Sequence, residues 1–404
     1  MRRSIIPMLV LVGLSTPAPA QSSGNRVVIG ILGDQSGVVA DVGGRGSLLA
    51  ARMAVADFGI TVLGKQIEIR DADHQHKVDV ASSIAREWFD VAGVDAIADL
   101  PNTGAVLALQ EIARTRKKTL LISGAASVEI TGRACSPFTT HWTDDTYALA
   151  NGTARVMVGR DADTWFFLTA DYSFGYDLER DAAANIKSLG GRVLGSVKHP
   201  LGTNDFSSFL LQAQSSRARM IGLASAGADT VNAIKQAKEF GIESGGQKLA
   251  ALHAFVTDIN SLGLAAAQGL VITTGFYWDE TDGSKEWSKR FFAVHGRMPT
   301  REQAGVYASV LHYLKAVRTA GTTDAAEVNA VMRRTPVDRF GAKAAIREDG
   351  RVTYDIGVYE VKSPGESKGA WDFYRKIATV PADQAFRPVE AGDCALLRKS
   401  EAKQ

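Results

Sequence analysis

Three local patterns could support chemistry, and spacing weighs each of them. His74-Gln75-His76 sets two imidazoles at i and i+2 beside Asp71 and Asp73; on a strand both rings share one face and could chelate a metal. No third histidine stands nearby and no H-E-x-x-H helix exists, so a polar loop after a strand at 67–70 explains the cluster as well. Gly44-Arg45-Gly46-Ser47-Leu48-Leu49 starts like a dinucleotide fingerprint but has Leu49 at the third glycine. It also lies ~10 residues past the strand at 27–32, too far for the tight pyrophosphate turn. These glycines read instead as the opening of a helix beside a ligand cleft. Ala224-Ser225-Ala226-Gly227 lacks the leading glycine of a nucleophile elbow. No metal, no cofactor and no catalytic residue is assigned.

The remaining chemistry sits in loops. Asp34-Gln35-Ser36-Gly37, Pro101-Asn102-Thr103-Gly104 and Gly124-Ala125-Ala126-Ser127 combine small residues, hydroxyls and backbone N–H groups just before helix starts. Such loops form nests for an anion, and a ligand carboxylate fits them. A second group is aromatic: Asp171-Tyr172-Ser173-Phe174-Gly175, His253-Ala254-Phe255 and Gly275-Phe276-Tyr277-Trp278. Tyr172, His253 and Tyr277 would give that wall hydrogen-bonding tips.

The elements that must hold these loops alternate between β-rich and helical patterns. Strands are expected at 27–32, 67–70, 95–100 and 119–122, with helices between them, and the pattern restarts at 165–168, 193–197, 220–223, 249–252 and 270–273. Two doubly wound α/β lobes with parallel sheets follow, with the loops at the strand C-termini where open sheets bind ligands. Residues 135–145, with Pro137 and Thr139-Thr140-His141, suit a connection between lobes better than a core element. Helices dominate 285–334; a late strand at 354–361 precedes an irregular tail.

With 404 residues, 45% of them hydrophobic and 22% charged, the chain has core enough for two lobes. The net charge of +2 falls to zero without residues 1–20, which hold only Arg2 and Arg3. No global field then favours nucleic acid or anionic membranes. Met1-Arg2-Arg3, an apolar run from Ile5 to Leu14 and Ala18-Pro19-Ala20 have the three parts of a secretory signal, with cleavage expected after Ala20. Ten apolar residues make ~15 Å of helix, half of a hydrocarbon core, so a membrane anchor is the poorer reading. In an oxidising compartment Cys135 and Cys394 are a natural pair, closing a loop of roughly 260 residues for at most ~5 kcal/mol; two free buried thiols are the alternative.

Ile29-Gly30-Ile31-Leu32-Gly33-Asp34-Gln35-Ser36-Gly37, Ile122-Ser123-Gly124-Ala125-Ala126-Ser127, Asp171-Tyr172-Ser173-Phe174-Gly175 and Gly269-Leu270-Val271-Ile272 occur in an order that resembles the leucine/isoleucine/valine-binding protein family. These are periplasmic solute-binding components of ABC importers, and the likeness spans nearly the whole mature chain. It implies a type I periplasmic binding protein: two lobes, three crossovers, a ligand clamped between, and hinge closure. Lobe 1 would comprise 26–145 plus 277–353, lobe 2 146–276 plus 354–380, with 381–404 a tail tied back to lobe 1. The protein would be a monomer serving an inner-membrane ABC permease.

The resemblance places carboxylate contacts near Asn102 and Thr103 and at Ala125 and Ser127, with Ser36 in the opening loop. The family's aromatic contact falls on Phe174, its ammonium-binding acid on His253, and another of its tyrosines on Val42. With Tyr172 and Phe255 this implies an aromatic wall without the acid. The set, with His141-Trp142-Thr143-Asp144-Asp145-Thr146-Tyr147 and Trp371-Asp372-Phe373-Tyr374, looks more like relatives that bind aromatic carboxylates. The alternatives are an amino-acid binder, a sensing partner of a membrane receptor, and an exported enzyme using the same cleft.

Overall fold

The computed structural model describes residues 25–401 except 159 and 161; the signal-like segment lies outside the described residues. β1 (Arg26–Gly33) is buried from Val27 to Gly33, as its unbroken apolar run requires, and lies inside its sheet. With β2 (Thr61–Val62), β3 (Lys65–Asp73), β4 (Ala96–Asp99), β5 (Thr119–Ile122) and β6 (Thr139–His141) it forms the order β2-β3-β1-β4-β5-β6. Every neighbouring pair is parallel except the short β2–β3 pair.

β6 corrects the sequence reading of 135–145, because these residues form a buried edge strand as well as a connection. The polar side chains of Thr140 and His141 find internal partners, whereas Thr139 Oγ1 has none. Trp142 Nε1 donates to Thr140 Oγ1 at 2.7 Å, and His141 Nε2 lies 2.7 Å from the Ala125 carbonyl oxygen.

β7 (Thr164–Ala170), β8 (Arg192–His199), β9 (Met220–Ala224) and β10 (Lys248–Ala251) form the second parallel sheet, ordered β10-β9-β7-β8. Each lobe thus has its first long strand flanked by the second on one side and the third on the other. That reversal leaves a crevice beyond the C-terminal ends of β1 and β4, and of β7 and β9.

β11 (Val271–Thr274) was expected to complete the second parallel set and does not. A small antiparallel sheet of β12 (Val337–Arg339), β13 (Ala342–Ile346) and β14 (Val352–Thr353) intervenes in the chain. The backbone then returns as β15 (Ile356–Val361), antiparallel to β11, and β16 (Tyr374–Val380), antiparallel to β15. β16 lies in the stretch read as an irregular tail. It is pinned by Tyr277, whose hydroxyl donates to the Trp371 carbonyl at 2.8 Å and accepts from the Phe373 N–H at 3.0 Å. Tyr277 therefore serves the tail and not the aromatic wall in which the sequence reading placed it.

Three chain segments pass between the lobes, and one side chain ties them. Asp144, just after β6, accepts from Gly275 N–H at 2.9 Å and from the Tyr354 hydroxyl at 2.9 Å. Beside it Arg351 is fully buried. It donates to His141 Nδ1 at 2.8 Å, to the Thr143 carbonyl, and to its neighbour Val352's carbonyl at 3.0 Å. Cys135 and Cys394 form a disulfide, Cα–Cα 5.6 Å, which fastens the tail to the segment before β6.

Candidate functional site

The crevices of the two sheets face one another, and the loops from β1, β4 and β5 meet those from β7, β9 and β10. Val39 and Val42 of the first pack on Phe255 of the second. The cavity left between them is about 20 Å³, lined by Thr103, Ala125, Tyr172, Phe174, His253 and Phe255 among others. That holds about one water, so a solute enters by parting the walls.

One wall is a run of rings. Tyr172 and Phe174 have centroids 5.8 Å apart, Phe174 and His253 4.9 Å, and His253 and Phe255 4.7 Å, the last two pairs edge to face. Arg301 stacks its guanidinium 4.0 Å over Phe255 and donates to the Ala254 carbonyl at 2.9 Å. Burial, with Arg301's charge adding, holds the His253 imidazole well below its usual pKa, so it is neutral at pH 7.

The opposite wall is polar and short of partners. Thr103 opens the helix Thr103–Arg116, and its buried Oγ1 has no hydrogen-bond partner. The backbone N–H groups of Thr103, Ala125 and Ala126 find no acceptor among the described residues. Together they make an oxyanion nest.

Three residues named with them have engaged side chains, which for Ser127 leaves the backbone N–H, its main expected contact, untouched. Asn102 caps the helix, its Oδ1 accepting from Ala105 N–H at 2.9 Å while Nδ2 donates to the His76 carbonyl at 3.0 Å. Ser127 Oγ donates to Asp177 and accepts from Glu129 N–H at 3.1 Å. Ser36 Oγ donates to Asp73 Oδ2 at 2.6 Å. Their side chains are already engaged.

Two buried acids that sequence reasoning missed stand at the same wall. Asp99 ends β4 behind the cavity lining in a left-handed conformation, φ 82°, its carboxyl beside the Ser47 hydroxyl. Glu302 lines the cavity, and its Oε2 is unpartnered. Burial, with Asp34's charge adding, pushes Asp99 up to about 7; burial and then Asp99's charge push Glu302 well above the carboxylate range.

Glu302 arrives through helix packing. Arg301–Ala320 is capped by Thr300, and Gln303 Nε2 donates to the Gly43 carbonyl at 3.0 Å. The approach depends on Gly46, where a Cβ would fall 2.1 Å from Gln303 Nε2. The glycine-rich loop thus admits a second helix to the cleft. His74 and His76 lie behind, ring centroids 6.3 Å apart; none of their four nitrogens makes a hydrogen bond, and His76 Nδ1 stands 3.7 Å from Asp34 Oδ2. Among the described residues no three His, Cys, Asp or Glu are placed to hold a metal ion.

Residues 26–370 match the periplasmic binding protein family. A periplasmic binding protein from Burkholderia mallei is 49% identical, with TM-score 0.90, covering 92% of this chain and 99% of that one. A branched-chain amino acid ABC transporter periplasmic ligand-binding protein from Burkholderia xenovorans is 38% identical, with TM-score 0.82, covering 91% and 99%. The Leu/Ile/Val-binding protein homolog 6 of Brucella melitensis is 24% identical over 83% of this chain and 87% of its own. Rhodopseudomonas palustris solute-binding proteins solved with hydroxybenzoates share the fold at 20–21% identity. The Burkholderia xenovorans and Rhodopseudomonas palustris proteins are ligand- or solute-binding proteins of ABC transporters. With its two facing α/β lobes and closed cleft, the chain belongs to the periplasmic binding protein family.

Proposed function

We propose that the protein is exported, cut after Ala20, and delivers a small carboxylate with an aromatic body to the permease of an ABC importer. Residues 26–145 with 277–353 act as one lobe and 146–276 with 354–380 as the other, the tail 381–404 being tied to the first. The observation that carries the reading is the pairing of an unpartnered oxyanion nest with a run of rings across one cleft. The carboxylate takes the N–H groups near Thr103 and Ala125 and the Thr103 hydroxyl. The ring lies against Tyr172, Phe174 and Phe255, and neutral His253 meets a distal polar group such as a phenol.

A second reading, an α-amino acid, is favoured by Glu302. The acid absent at position 253 has a counterpart on the other wall, and an ammonium beside Glu302 would draw off its proton. The Burkholderia xenovorans relative, a branched-chain amino acid ABC transporter ligand-binding protein, supports the same side. A thermal-shift screen of benzoates, cinnamates and amino acids separates them. A ligand at 100 times its Kd adds ~2.7 kcal/mol, a shift of several degrees. Shifts from aromatic acids support the first reading, and shifts confined to amino acids overturn it.

A further inference from the structure

Three arginines are buried among the described residues, and their surroundings differ. Arg351 donates to three neighbours, and Arg301 has the Ala254 carbonyl and Asp144. Arg339, at the end of β12, is 5% exposed and has neither an ion pair nor a side-chain hydrogen bond, its Nε buried and unpartnered. Its guanidinium carbon sits 3.4 Å above the centre of the Tyr354 ring. That stacking satisfies the face of the group only, because its N–H donors lie in the plane.

Arg339 borders a hollow of about 610 Å³ that shares no lining residue with the cleft. Phe340 and Lys343 of the β12–β13 hairpin form one side, and Lys376 and Thr379 of β16 the other. Three cations line it against two acids, and both acids are engaged: Glu280 pairs with Lys376 at 2.5 Å, and Asp355 accepts from Ala382 N–H at 2.9 Å. Its Nε is shut away without an acceptor, and a cation held with an unmet donor beside a hollow is stabilised when an anion reaches it.

We propose that this hollow is a second binding site, for a small oxyanion, carboxylate or phosphate, taken by Arg339 with Lys343. Its sides belong to different lobes on the assignment given above.

Calorimetry on the disulfide-bonded mature protein at constant ionic strength, with inorganic phosphate and citrate each to ~10 mM, tests this. One saturable site for either anion is expected, and the anion that binds identifies the class. It should survive Thr103→Ala, disappear in Arg339→Gln and weaken at least about threefold in Lys343→Ala. No saturable heat from either anion, or heat lost in Thr103→Ala and kept in Arg339→Gln, would overturn the proposal. Should Arg339→Gln not fold, Lys343→Ala decides, since its side chain is exposed; an unchanged Kd there overturns the site. Aromatic acids do not enter this test, so failure of the cleft assignment leaves a separate mark.

Discussion

Around Arg351 and around Glu302 the molecule buries polar groups at similar depth and treats them in opposite ways. At the crossovers each named group is used: Arg351 reaches His141, Thr143 and Val352, Asp144 joins Gly275 to Tyr354, and Thr146 Oγ1 donates to Asp181 at 2.5 Å. In the cleft Thr103 Oγ1, Glu302 Oε2 and His253 Nδ1 are left without hydrogen-bond partners. A satisfied buried network fixes one arrangement of the chain, whereas unsatisfied groups raise the energy of the closed cleft until a solute supplies their partners. On the function proposed, the contrast separates residues that hold the hinge from residues that meet the ligand.

The largest break should come at the hinge. Arg351→Met strands His141 and Asp145, whose Oδ2 lies 3.6 Å from the guanidinium, and should cost ~3–5 kcal/mol in urea denaturation; a loss under about 1 kcal/mol would mean that the network is ornamental. Replacing Cys135 and Cys394 by serine should lower stability by ~2–4 kcal/mol while leaving the cleft intact, so ligand affinity should hold. An affinity loss matching the stability loss would tie the tail to binding.

Thr103→Ala should do the reverse. Its hydroxyl has no partner to lose, so stability should stay within about 0.5 kcal/mol, while carboxylate ligands weaken by ~1.5–3 kcal/mol, tenfold or more. A destabilised protein with normal affinity would invert the assignment.

The gentlest effect, read per pH unit, is a slope. Asp99, pushed up to about 7 chiefly by burial, keeps a proton in the folded state that the unfolded chain has released. The folded state then binds more protons between about pH 4 and 7, so this group makes stability fall as pH rises through that window. Buried histidines such as His74, lowered to about 4 by burial and then by His76, act in the opposite sense. The difference between wild type and Asp99→Asn isolates the carboxyl: wild type should lose ~1 kcal/mol per pH unit relative to the variant. Asparagine also tolerates the left-handed backbone there. Parallel pH profiles would show that Asp99 titrates normally.

Sequence made the paired lobes and the facing loops legible because both depend on local patterns. The apolar run of β1 and the small-residue stretch before Ser127 announce themselves within a few residues. Tyr172, Phe174, His253 and Phe255 were found because they follow strand ends. Glu302 was out of reach, since its helix starts about 200 residues after β4 and enters the cleft only through contact at Gly46. Ser127 and Asn102 were placed in the right loops, but whether a hydroxyl or amide faces a ligand or a neighbouring N–H depends on rotamers that spacing does not encode. β16 escaped because its strand is held by Tyr277, nearly 100 residues earlier in the chain.

Titration calorimetry of the wild-type mature protein at neutral pH, with 4-hydroxybenzoate in one series and leucine in the other, addresses the cleft directly. One site for the aromatic acid at micromolar Kd or better, roughly −8 kcal/mol, is the expected result, with little or no heat from leucine. Tight leucine binding with no heat from 4-hydroxybenzoate would contradict it and make Glu302 the ammonium partner of an amino-acid binder.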